Sequence, residues 1–128
     1  MSYYLTKITS FAYDQALTRV RDELKKEGFG IITEIDVRET LKKKLNVDFR
    51  NYKILGACNP SFAHRALQLE SRIGTMLPCN VIVQEREDGR TEVSAINPLE
   101  SMKAVANPNL EIIANQVAAR LKSIIDRL

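Results

Sequence analysis

LPCNVIVQEREDGRTEVSAIN, residues 77–97, is the stretch whose reading decides the fold. Two strand-like runs, Leu77–Glu85 and Arg90–Asn97, flank Asp88-Gly89. Asp-Gly is a strong two-residue hairpin signal, because the favoured turn needs positive φ at both central positions. A tight turn joins antiparallel strands, whereas parallel neighbours need a long crossover. A doubly wound parallel fold is therefore not the reading. A two-residue loop would set Glu85 opposite Glu92, and like charges facing each other across a ladder repel. The register stays open at that end, with a bulge as the alternative.

Working outward, YKILGACNPSFAHRAL (52–67) reads as strand, turn and helix. Asn59 can cap the helix, and Pro60 suits its first position, where a missing N–H costs nothing. Phe62, Ala66, Leu69 and Ile73 make the expected buried stripe, with His64, Arg65 and Arg72 on the other side. Before it, Phe29–Val37 alternates apolar and polar residues like a half-buried strand. Asp36 and Glu39 have capping-box spacing ahead of a short helix expected to bury Val37, Leu41 and Leu45. Lys42, Lys43 and Lys44 read as its solvated face. At the N-terminal end, Tyr4, Thr6 and Ile8 alternate as a first strand. Ser10 is the expected cap of a helix with Tyr13, Leu17, Val20 and Leu24 on one face, closed by Lys25, Lys26 and Gly28. After the hairpin, Asn97-Pro98 starts a single turn of helix. Asn107-Pro108 opens the last helix, striped by Leu110, Ile113, Ala114, Val117, Leu121, Ile124, Ile125 and Leu128, with Ile112 pointing away.

The order is β-α-β-α-β-α-β-β-α. It predicts an α+β fold: a single twisted, largely antiparallel sheet with helices mainly on one face. Its 128 residues make one domain, 1–128. Hydrophobic content of 45% and charged content of 27% are those of a soluble globular chain. No apolar run approaches bilayer length, and the first residues lack a signal-peptide pattern, so a cytoplasmic location with reduced cysteines is expected. A net charge of +3 is too mild to argue for nucleic-acid binding.

The residues exclude more chemistry than they indicate. There is no G-x-S-x-G, no Walker or dinucleotide glycine pattern and no paired Cys/His spacing for zinc. No cofactor or metal site is expected, and no catalytic residue is identified. Cys58 and Cys79 read first as structural, each in phase with a strand pattern; whether they approach each other is open. Cys58 has a second reading as a reactive thiol, since it lies just before a helix N-terminus that would stabilise thiolate. Gly56, inside a strand, either lets a ligand approach or makes room for a neighbouring ring. His64, Arg65 and Arg72 form a weak anion-binding candidate, with a solvated helix face as the simpler account.

The segments EGFGIITEIDVRETLKKKL, YKILGACNPSFAHRAL, LPCNVIVQE and VSAINP, in this order, resemble the domain-of-unknown-function 302 family over nearly the whole chain. The resemblance implies a TATA-binding-protein-like arrangement of sheet and helices and a plausible homodimer. It carries over motif positions but no catalytic roles, and the architectural label licenses no claim about DNA. The expectation is a non-enzymatic, self-associating domain that binds a small molecule against the Cys58–Pro60 turn and the Pro78–Asn80 strand start. Gly56, Cys58, Asn59, Cys79 and Asn80 are the candidate contacts. The alternatives are a thiol-dependent redox protein or enzyme using Cys58, Cys79 or both, and a nucleic-acid binder on its basic helix faces.

Overall fold

The computed structural model describes residues 2–128. Its strands are β1 (Tyr4–Thr9), β2 (Gly30–Asp36), β3 (Tyr52–Cys58), β4 (Cys79–Glu85) and β5 (Thr91–Ile96). Its helices are α1 (Tyr13–Lys26), α2 (Val37–Leu45), α3 (Pro60–Leu69), α4 (Pro98–Ser101) and α5 (Pro108–Arg127), with 3-10 turns at Ile73–Met76 and Lys103–Val105. The strands form one sheet in the order β1-β5-β4-β3-β2, with every neighbouring pair antiparallel. The α+β expectation holds, as does the order of strands and helices along the chain. No helix is long and apolar enough to cross a membrane among the described residues.

Alternation places the core on one face. Leu55, Ala57, Val81, Val83, Val93 and Ala95 are buried beneath α1 and α5, which contribute Leu17, Val20, Leu24, Leu121 and Ile124. Across the opposite face runs a paired row of Thr6, Ser94, Ile82, Ile54 and Ile35, one residue from each strand. Tyr4, Ile8 and Ile35 on that face are 41%, 39% and 48% exposed.

The hairpin resolves the charge conflict by shifting register. Arg86 N–H donates to Arg90 O at 2.7 Å and Gly89 N–H to Arg86 O at 2.9 Å, so the loop is the three residues 87–89. Gly89 takes the positive φ of 83° that this loop requires. Glu85 then faces Thr91, and Gln84 faces Glu92, so the two glutamates do not meet.

Four local expectations need correction. Ala12, not Ser10, is the N-cap of α1, and Gln15 Oε1 accepts the Ala12 N–H at 3.2 Å. Asp36 caps α2 by accepting from Glu39 N–H at 3.0 Å, yet no residue of α2 is buried and Leu45 is 65% exposed. A nine-residue helix beside the edge strand β2 and its neighbour β3 has little core within reach. In β2 the register slips between Ile31 and Thr33, so strict alternation fails. Ile31 pairs with buried Ala57, whereas Thr33 pairs with Gly56 on the opposite face. Finally α3 stops at Leu69, which is 39% exposed, and Ile73 is buried from the 3-10 turn instead.

Candidate functional site

Where β3 ends and β4 begins, the sheet meets α3 and α5 around a cavity of about 300 Å³. Ala57, Cys58 and Asn59 form its β3 side, and Leu77, Pro78 and Cys79 its β4 side. Phe62, Ala63, Ala66 and Leu67 close it from α3; Ile113, Ala114 and Val117 close it from α5. Phe29 forms part of the floor at 4% exposure, while Ile32, 61% exposed, stands at the rim. The slip in β2 explains Ile32. A bulge adds one unpaired residue and re-aims its side chain, and here that residue reaches the cavity. The space itself comes from alanines: Ala63, Ala66 and Ala114 offer methyl groups where larger side chains would fill it.

Among the described residues, no charged side chain lines this cavity, and Asn59 is the one amide on its wall. Asn59 does not cap α3 as expected. Its Nδ2 donates at 3.2 Å to the carbonyl of Glu27, which also accepts from Arg120 Nη1 at 3.0 Å. The Asn59 amide thus ties the start of α3 to the turn that ends α1, where Gly28 has φ of 83°. The other two Asn-Pro starts behave as read. Asn97 and Asn107 accept from the N–H groups two residues on, at 3.2 and 3.1 Å.

Cys58 and Cys79 are free thiols on neighbouring strands, and both border the cavity. Cys79 pairs across the ladder with Ala57, the residue before Cys58. This answers the open question of their separation: antiparallel pairing of β3 and β4 brings them close. Cys79 is 8% exposed, and burial, with the Cys58 thiol adding to it, pushes its pKa to about 11. It is protonated at neutral pH, so a resting thiolate at Cys79 is not supported.

The remaining candidates fall outside the cavity. Gly56 pairs with Asn80, and neither lines it. The missing side chain at Gly56 makes room for Thr33 and Pro78, not for an aromatic ring: an added Cβ would strike Thr33 Oγ1 and sit 2.7 Å from Pro78 Cγ. His64, Arg65 and Arg72 are exposed and line no part of this cavity. The Arg65 guanidinium lies 5.8 Å from the Phe62 ring centroid. Lys42 and Lys43 pair with Asp48 and Glu39 on α2 and the loop after it, as a solvated face does. Among the described residues, no group of three or more His, Cys, Asp or Glu side chains is assembled to hold a metal ion. What the sequence reading missed are Phe29, Ile32, Met102 and the α5 wall, and only the out-of-phase Ile32 carried any signal.

The family model described as "Domain of unknown function DUF302" matches residues 5–128. The crystal structure of an uncharacterised conserved protein of that family from Bacillus stearothermophilus superposes with a TM-score of 0.92 at 30% identity, covering 99% of this chain and 98% of that one. An uncharacterised protein of Aquifex aeolicus is 26% identical over 94 residues, 73% of this chain. The match spans 59% of that relative's own length.

Proposed function

We propose, for a chain that belongs to the DUF302 family, a binding role: the cavity at the β3–β4 end takes an uncharged apolar group of a small molecule. The observation that carries this is the lining, apolar from Phe29 to Val117 and without a charged group. Ligand sites of this kind are concave and mostly apolar, with few polar groups to fix orientation. Cys58, Asn59 and Cys79 are the polar contacts available. The test is titration with Nile red, whose emission rises in apolar surroundings, in the wild type and in Ala63→Phe. Ala63 is half-buried on a helix, so a larger ring there fills the cavity without removing core. Saturable wild-type emission, lost in a folded variant, supports the reading. Equal emission from both proteins would refute it.

A second reading, a thiol-dependent redox protein or enzyme, is favoured by two free cysteines at one cavity. The raised pKa of Cys79 weighs against it. Nucleic-acid binding has less support, since the basic residues are spread over several elements and pair locally.

The proposal includes self-association through the sheet face that carries Tyr4, Ile8 and Ile35. Five strands about 4.8 Å apart, each about six residues long, span roughly 24 by 20 Å. Two such pleated faces packed together would bury on the order of 1,000 Å², the lower range for a specific interface. A two-fold axis along the central row would set Ile82, Ile54 and Ile35 of each copy against their own symmetry mates. Light scattering on Ile35→Glu tests it: a wild-type dimer that becomes monomeric is the supporting result, and an unchanged mass is the opposing one.

A further inference from the structure

The apolar cavity has a neighbour. A second hollow of about 450 Å³ lies between α4, the following 3-10 turn and the start of α5. The two share Pro98, Met102 and Ala114 as a common wall. They follow one another along α5: Leu110 borders the second, Ala114 stands at the joint and Val117 borders the first. From Leu110 to Val117 is about 10 Å of helix.

The partition is thin on both sides. Ala114 contributes a methyl group, and Met102 contributes an unbranched thioether that changes rotamer readily. The two hollows also differ in chemistry. The first has no charged lining residue, whereas the second is edged by Glu100, Lys103 and Glu111, with Lys103 Nζ 2.8 Å from Glu100 Oε2.

We infer that the two hollows form one site for an elongated amphiphile: an unbranched alkyl chain end in the first cavity, passing Met102, with its polar end at the charged edge of the second. This rests on the apolar-ligand reading of the first cavity and adds the ligand's shape and class. Met102 is the gate, and the segment from Pro98 to Ala106 is the strap that carries it.

The experiment measures binding of hexanol, octanol and decanol to the full chain by calorimetry. Each added methylene that finds apolar wall tightens binding about fourfold, so decanol, four methylenes longer, should bind about 250-fold more tightly than hexanol. Chain length alone favours longer alcohols at any greasy surface, so the variants decide. Leu99→Trp fills the second hollow from a half-buried position that does not border the first. It should abolish the gain from hexanol to decanol and leave hexanol binding in place. Met102→Ala removes the partition and should raise the decanol-to-hexanol affinity ratio above that of the wild type. Hexanol binding without a Leu99-sensitive gain for decanol would overturn this inference alone. Failure of every alcohol, hexanol included, would remove the first-cavity reading and this inference with it.

Discussion

Replacing Gly56 by alanine tests whether that position serves packing or a ligand. The new methyl group would strike Thr33 Oγ1, lie 3.3 Å from Thr33 Cβ and lie 2.7 Å from Pro78 Cγ. Overpacking of this kind costs about 1–3 kcal/mol. With contacts on two sides, the upper half of that range applies. Alanine recovers about 0.5–1 kcal/mol through the stiffer unfolded chain and the better strand former. The net expectation is a loss of about 2 kcal/mol. Urea denaturation should show the midpoint falling by about 1 M at an m-value near 2 kcal/mol/M. The thermal midpoint should drop by about 6–8 °C for a chain of this size. The companion variant Thr33→Ala deletes the hydroxyl that collides. Combined with Gly56→Ala, it should recover about 1 kcal/mol relative to the sum of the single changes; the Pro78 contact prevents full recovery. Loss below about 0.5 kcal/mol for Gly56→Ala, or strict additivity with Thr33→Ala, would refute the packing argument. A stable Gly56→Ala protein that has lost ligand binding would instead return Gly56 to the site.

Two pH-dependent outcomes follow from buried groups. In a Cys58→Ser background at pH 8, Cys79 should react with iodoacetamide roughly 100-fold more slowly than the same thiol unfolded, because burial raises its pKa from 9.0 to about 11. The same shift gives stability that is complete below pH 9.0 and lost as pH rises toward about 11, which base denaturation of wild type against Cys79→Ala measures. Glu23 is 3% exposed, and its bonds from Arg127 at 2.7 Å and Lys26 at 3.1 Å hold its carboxyl below the ordinary glutamate range. Its contribution is therefore present above the unfolded glutamate pKa and lost as pH falls through the lower folded one. Glu23→Gln should cost about 1–2 kcal/mol at neutral pH, and the gap should close in acid; a gap of constant size would contradict the assignment.

The parts of the fold that could be read from residue order are those set by short-range chemistry. Asp88-Gly89 announced an antiparallel hairpin, and the facing of Glu85 and Glu92 in a two-residue loop left its register open. Asn97 and Asn107 cap as their Asn-Pro context requires. The stripe of α5 is buried at every position read except Leu128, which is half-buried. What failed depended on distant partners. Asn59 has the same local context as Asn97 and Asn107, but the Glu27 carbonyl in the turn after α1 captures its amide. Ile32 is an apolar residue in the polar phase of its alternating run, but only pairing with β3 shows that the register slips there. The site was half legible. Cys58, Asn59 and Cys79 border the cavity, whereas Gly56 and Asn80 do not. The cavity itself is made by alanines from two helices that meet only in the folded chain, and no linear pattern records that meeting.

The strand order also sets a schedule for the chain as it is made. The strands β2, β3, β4 and β5 are neighbours in sequence and in the sheet, so each can pair as soon as it has emerged. The first strand cannot. Thr6 meets Ser94 across 88 residues, so β1 leaves the ribosome long before its partner exists. Closing so wide a loop costs entropy that the local hairpin never meets. The strand made first is thus placed last, and a ribosome-stalled fragment ending before Thr91 should hold Tyr4–Thr9 unpaired and open to a chaperone or a protease.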